Sequence, residues 1–298
     1  MFEKGSNKNK ALLSLFTGIV VMGFSAILIK SAHAPGIVTA WYRMTIGTIV
    51  LAIIFFINTK KSHLPLNKKG VLLAILAGLC FGLDMAFWAT GVVISNATIP
   101  TLFGNLAPIW VGFGAMLVFR EKSRAGFWIG LSVSVLGFLV LSGNDLTQTH
   151  GLMKGIILGT LAGFFYGIFY LFAQRGRESL SALSFLFIST LSSAVLLTVL
   201  MLIYRYPFVG YDSHSYLMFF CIGIGVQVLG WLCVSYAQGY IQATIIAPTL
   251  LGQPVITAIL AVMLLKEKLT LFQIVGGIII LLGIYIVHFS RKIRKTTT

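Results

Sequence analysis

Apolar runs, each about as long as a bilayer is wide and each closed by a short polar tip, recur along this chain. A helix that spans a bilayer takes about 20 apolar residues. Runs of that kind lie at 11–30, 37–57, 71–93, 97–119, 125–142, 153–173, 181–203, 216–236, 243–265 and 271–289. The tips between them carry turn chemistry, as in His33-Ala34-Pro35-Gly36 and Ser142-Gly143-Asn144-Asp145. No soluble domain fits in the joins. The pattern predicts an all-α polytopic membrane protein with ten transmembrane helices. Ala32-His33-Ala34 imitates a signal-peptidase site. However, Ala11–Ile29 is long for a signal core and further spans follow, so the first run is expected to remain as a helix.

Composition agrees with lipid as the main solvent. Of 298 residues, 58% are hydrophobic and 10% are charged, against about 25% charged in a soluble domain. The excess of 22 Lys and Arg over seven acids sits between the apolar runs. That placement suits anionic headgroups and cytoplasmic loops, and no nucleic-acid partner is expected. With the N-terminus inside, one side receives Lys4, Lys8, Lys10, Lys60, Lys61, Lys68, Lys69, Arg120, Lys122, Arg124, Arg175, Arg177, Arg291, Lys292, Arg294 and Lys295. The other side receives Lys30, Lys154, Arg205, Lys266 and Lys268, and Arg43 lies within a span. This asymmetry predicts an integral protein of the cytoplasmic (inner) membrane with both termini cytoplasmic.

Small residues mark the helix contacts. Gly151, Gly155, Gly159, Gly163 and Gly167 recur every fourth position and make a smooth stripe against which another backbone can pack closely.

The chain also repeats itself. A gapless shift of 146 lays ATIPTLFGNLAPIWVGFGAMLVFREKS (97–123) over ATIIAPTLLGQPVITAILAVMLLKEKL (243–269). It matches Pro108 with Pro254 and Glu121-Lys122 with Glu267-Lys268, then Gly130 with Gly276 and Gly137 with Gly283. Residues 1–146 and 147–298 are therefore expected to be two five-helix repeats. Five is odd, so the second unit enters the membrane in the opposite sense, a recurring transporter plan with the site at mid-depth. Pro100 and Pro108 interrupt span four, and Pro248 and Pro254 interrupt span nine. Each removes a helix donor and frees a carbonyl that needs cover from protein or a water-filled cavity. Asn105 and Gln253, beside these breaks, are candidates to line such a cavity.

These features resemble the drug/metabolite transporter superfamily, in its EamA branch of ten-span carriers. The residues that carry the resemblance are GFSAILIK (23–30), WYR (41–43), NATIPTLFGNLAPIW (96–110) with REK (120–122), and ATIIAPTLLGQPVI (243–256) with KEK (266–268). The resemblance implies inverted repeats, a central cavity and secondary transport of small metabolites. It leaves the substrate open. Met22 stands where such sequences often have a tryptophan.

Asp84 lies inside the third apolar run, in GLCFGLDMAFWATG, where an unpaired carboxylate costs about 2.5–3.5 kcal/mol. Arg43 lies roughly 9 Å down span two and Asp84 roughly 14 Å down span three from the same face, within about a helical turn of each other. Three readings stay open. Asp84 forms a structural ion pair with Arg43, or Asp84 takes a cationic amine while Arg43 takes a carboxylate, or Asp84 is a proton-coupling carboxyl. The repeat places Gly230 opposite Asp84, so this charge is not duplicated with the scaffold. Phe87 and Trp88 follow at three and four residues and are expected on its face. Trp110, Tyr166 and Trp231 are further rings near that level, and ring faces suit an organic cation. Trp41 and Tyr42 are expected as interfacial anchors. The candidate substrate-binding or coupling residues are thus Asp84, Arg43, Phe87, Trp88, Asn105, Gln253, Trp110, Tyr166 and Trp231.

Neither H-E-x-x-H, G-x-S-x-G nor G-x-x-x-x-G-K-[ST] occurs. The five histidines and three cysteines have no metal-ligand spacing. No cofactor, metal or catalytic residue is expected. The expected partners are a small-molecule substrate, protons as a coupling option, membrane lipid, and a second copy of the chain as an open option. The preferred function is a secondary transporter of an amino-acid-like or amine-bearing metabolite by alternating access. Its rivals are a polytopic enzyme acting on lipid and a channel-like pore.

Overall fold

A computed structural model describes residues 5–62, 67–95, 98–120, 125–141, 152–265 and 270–292. Every regular element among these residues is helical. The elements are α1 (Gly5–Gly23), α2 (Ser25–Ser31), α3 (Gly36–Ser62), α4 (Lys68–Ile94), α5 (Thr98–Gly104), α6 (Ala107–Val118) and α7 (Ala125–Leu141). They continue as α8 (Leu152–Gly176), α9 (Ala182–Ile203), α10 (Ser213–Cys221), a π-helical segment (Ile222–Gly230), α11 (Trp231–Gln238), α12 (Ala243–Leu250), α13 (Gln253–Leu265) and α14 (Leu271–Lys292). Among the described residues, eight helical stretches are long and apolar enough to cross a membrane, and Ala107–Val118 and Ala125–Leu141 are apolar but shorter. The outward surface is greasy, with Leu117 80% and Leu271 74% exposed. Water does not tolerate such a surface, and lipid does. The chain is an integral membrane protein.

Three of the predicted spans are broken. Span four divides at Asn105–Leu106 into α5 and α6, and span nine divides at Leu251–Gly252 into α12 and α13. Proline explains both, since Pro108 opens α6 and Pro248 sits within α12. Span one divides at Phe24, a break the sequence reading did not expect. Its loosened carbonyls are covered from α13, where Gln253 Nε2 donates to Met22 O (3.1 Å) and Thr257 Oγ1 donates to Gly23 O (2.9 Å).

The helices pack in pairs that answer one another under the shift of 146. α1 lies against α11 as α8 lies against α4, and α3 lies against the π segment as α9 lies against α4. α6 meets α12, and α7 meets α14 in a pair that maps onto itself. In the last pair Gly130 abuts Gly283 and Gly137 abuts Gly276, so the two helices run antiparallel. Ser134 Oγ donates to Ile280 O at the centre of that contact (3.4 Å).

The stripe on α8 finds its partner in the broken span four. Gly159 faces Pro100 and Phe103, Gly163 faces the Phe103 and Gly104 carbonyls, and Gly167 faces Ala107 O and the Trp110 side chain. The stripe therefore seats α8 where its next turn, Tyr166–Tyr170, reaches the interior. Gly151 lies outside the described residues, as do Asn96, Glu121-Lys122 and Glu267-Lys268, on which part of the repeat rests.

Trp41 and Tyr42 are packed within protein. Trp41 Nε1 donates to Thr198 Oγ1 (2.8 Å), and the Tyr42 ring stacks on Phe219 at 4.2 Å while its hydroxyl donates to Phe208 O. The segment after α9 folds back over them, which turns the expected interfacial anchors into packing residues.

Candidate functional site

Asp84, on α4, is 4% exposed, and Arg43, on α3, is 6% exposed. The two lie within electrostatic reach, yet no hydrogen bond or ion pair joins them. Arg43 is braced from the side. Its Nε donates to Gln227 Oε1 (2.9 Å), and Gln227 Nε2 donates in turn to Thr190 Oγ1 on α9 (3.1 Å). The guanidinium also stands over the Phe81 ring at 5.9 Å. Asp84 Oδ2 is buried without a hydrogen-bond partner. Such an atom costs about 1–3 kcal/mol, more when charged, unless something else satisfies it.

Aromatic rings wall this chamber. Trp231 meets Phe81 at 4.9 Å and Phe169 at 5.2 Å, with Tyr166 and Tyr170 slightly further. Tyr170 OH donates to Tyr166 OH (2.7 Å), and both tyrosines lie within electrostatic reach of Asp84. Trp231 Nε1 is a second buried polar atom with no partner. Tyr166 and Tyr170 also border a small cleft of about 40 Å3. Asn105, Ala107, Pro108, Ala247, Leu250, Leu251 and Gln253 complete its lining. The two proline-broken spans, four and nine, thus border the same cleft, which begins at Tyr166 and Tyr170.

The sequence-predicted residues separate into two groups. Arg43, Asp84, Tyr166 and Trp231 gather in the chamber, and Asn105 and Gln253 border the cleft. Asn105 Nδ2 donates to Thr101 O (2.9 Å) and Gln253 to Met22 O, so each also satisfies a carbonyl near a break. Phe87, Trp88 and Trp110 turn elsewhere. Phe87 stacks on Phe165 (5.7 Å), Trp88 Nε1 donates to Thr101 Oγ1 (2.9 Å), and Trp110 packs edge-on against Phe164 (5.3 Å). The ring beside the charges is Phe81, three residues before Asp84 rather than after it.

Gln227 and Thr190 escaped the sequence reading. An amide inside the apolar stretch IGIGVQVLGW is the same kind of signal as Asp84 and marks Gln227. Gln227→Leu is expected to lower stability by about 2–3 kcal/mol, because it strands a buried guanidinium donor. Thermal melting in detergent would read that loss.

Among the described residues no group of three or more His, Cys, Asp or Glu could hold a metal ion, and Cys80, Cys221 and Cys233 are free thiols.

The profile of the EamA-like transporter family matches residues 9–143 and again 153–289. The chain belongs to the EamA-like transporter family. A probable amino-acid metabolite efflux pump of Salmonella typhimurium is 24% identical over 290 residues, covering 93% of this chain and 94% of its own. An uncharacterized protein of Methanocaldococcus jannaschii is 30% identical over 135 residues, which is 45% of this chain and 96% of that protein. One crystal structure superposes with a TM-score of 0.80 at 15% identity, over 97% of this chain and 99% of its own, and so shares the fold. Like other EamA-like proteins, this chain is a membrane transporter of small metabolites.

Proposed function

We propose that the chain is a ten-span secondary transporter that carries an amino-acid-like or amine-bearing metabolite by alternating access, without making or breaking bonds. The observation that carries the cargo reading is the chamber itself. A buried carboxylate oxygen with no partner, a guanidinium braced off to one side and an unpartnered indole N–H lie in one packed, ring-lined cluster, which in this reading opens to admit cargo. An ammonium satisfies Asp84, a carboxylate satisfies Arg43 and Trp231 Nε1, and a small organic group stacks on the rings. The adjoining cleft, about 40 Å3, holds a water or so and has to widen for a cargo to pass. The name of the Salmonella relative favours the same class of cargo.

Two five-helix units, 1–146 and 147–298, inserted in opposite senses, form the scaffold in this reading. Its support is the reciprocal glycine contact between α7 and α14. An antiparallel pair in which each helix occupies the other's place needs a two-fold axis across the helices, hence in the membrane plane. The half-length Methanocaldococcus relative supports a unit of this size. The excess of Lys and Arg favours the cytoplasmic membrane with both termini inside.

The test is counterflow in proteoliposomes. The panel comprises the proteinogenic amino acids, their decarboxylated amines and their deaminated acids. Saturable exchange of one or more zwitterions, with weaker exchange of both truncated sets, is the expected result. Flux that rises linearly with concentration points to a pore and rejects the carrier. Preference for the bare amines keeps the carrier and removes the role of Arg43.

A further inference from the structure

Asp84 Oδ2, Trp231 Nε1 and both polar atoms of the Gln238 carboxamide are buried side-chain atoms without a hydrogen-bond partner. The first two belong to the chamber. Gln238, 2% exposed, does not. It follows Trp231 by seven residues on α11, so it lies two turns along the same face, about 10 Å away. At Trp231 that face looks at α8, where the ring meets Tyr166, Phe169 and Tyr170; in the turn that follows α8, Arg177 Nε donates to Ser235 O (2.7 Å) while its Nη1 donates to Leu180 O. Gly239 leaves room for the guanidinium, since a Cβ there would stand 2.6 Å from Arg177 Nη2. Trp231, Ser235 and Gln238 thus share one face of α11, which meets α8 at Trp231, meets the start of α9 where Ser235 Oγ donates to Ala182 O (3.2 Å), and is closed off at its end by Arg177.

A helix face in a dry seam gains nothing from a carboxamide that bonds to no protein group. We infer that the α8–α11 seam is a closed passage between the Asp84 chamber and the Arg177 end of the bundle, with Gln238 as a second station for the polar end of a zwitterionic cargo and Arg177 as the latch. The carboxamide both donates and accepts, so it serves an ammonium or a carboxylate in transit. It is neutral, so it holds neither firmly. Opening requires Arg177 to let go of the Ser235 and Leu180 carbonyls, and both then have water as an alternative partner. This passage rests on reading the chamber as the cargo site.

Substituted-cysteine labelling tests it, in a chain whose Cys80, Cys221 and Cys233 are replaced by serine. The probe is a charged methanethiosulfonate reagent applied from each side of the membrane. The Gln238→Cys thiol is expected to react from the Arg177 side, much faster than a Val234→Cys thiol on the same helix, which faces α1. Arg177→Gln is expected to speed the reaction about tenfold, the effect of losing a net hydrogen bond from the closed form. Gln238→Met, with the carboxamide gone, is expected to keep wild-type thermal stability and to slow amino-acid counterflow. Equal reactivity at 238 and 234 in both backgrounds overturns the passage, as does a melting loss in Gln238→Met that matches its loss of counterflow. The chamber is scored separately. Reactivity at 238 alongside an Asp84→Asn protein that still transports keeps the passage and discards the chamber, and an unreactive 238 alongside a dead Asp84→Asn does the reverse.

Discussion

Asp84→Asn is expected to reduce counterflow by about a hundredfold while the protein melts at or above the wild-type temperature. The two halves of that result come from one observation. Asp84 Oδ2 has no hydrogen-bond partner and the carboxylate reaches Arg43 only electrostatically, so the protein gains less from this charge than its burial costs. The burial of that charge is a net cost, and an amide of the same shape removes it. Cargo, by contrast, loses a charge-assisted contact worth about 3 kcal/mol, which is the hundredfold. Melting in detergent and counterflow in proteoliposomes, on the same preparation, separate the three readings of this acid. Parallel loss of both restores the structural pair. Intact counterflow with loss of drive by a proton gradient makes Asp84 a coupling group. Loss of counterflow alone is the cargo site.

The second large effect is on folding. Gly78→Ala is expected to cost about 3 kcal/mol, at the upper end for overpacking, and Gly78→Leu to leave little folded protein. α4 and α9 touch through their backbones here. Ser193 Oγ donates to Gly78 O (2.6 Å), and an added Cβ at Gly78 would run into the Ser189 carbonyl. Neither obstacle is the loose end of a side chain, so the helices must part. Asp84 lies six residues further along α4, and Thr190, which holds Gln227, lies one residue beyond Ser189. Separating α4 from α9 therefore disturbs the chamber as well as the packing. The ratio of monodisperse to aggregated protein after extraction reads the effect, and a wild-type profile for Gly78→Leu would show that the contact is not tight.

The membrane spans and the Gly stripe could be read from the sequence because lipid imposes length and apolarity on a helix, and close packing imposes glycine. The breaks at Asn105 and Leu251 could be read because proline leaves no alternative. The break at Phe24 could not, since no proline marks it and its carbonyls are covered by Gln253 and Thr257, more than 200 residues away in sequence. The position of Asp84 in an apolar run pointed to the chamber, but the rings around it were partly misjudged. Phe87 and Trp88 share a face with Asp84 on a helical wheel, yet that face is broad enough to border three neighbours. Phe87 meets α8, Trp88 meets α5, and only Asp84 reaches the interior. Gln227 stands out as an amide in an apolar run, but the direction it faces could not be read from the sequence. It lies in the π segment, where the periodicity used to assign faces does not hold.

The π segment has a consequence beyond its own residues. A helix that changes its winding part-way along no longer ties its two ends to a single rotation. The amide that braces Arg43 belongs to the unusual stretch, and the indole and carboxamide that face α8 belong to the ordinary one after it. Selection can therefore retune what surrounds Arg43 without turning the wall of α11 that carries Trp231. Sequence change has a place to act here that costs the rest of the bundle little.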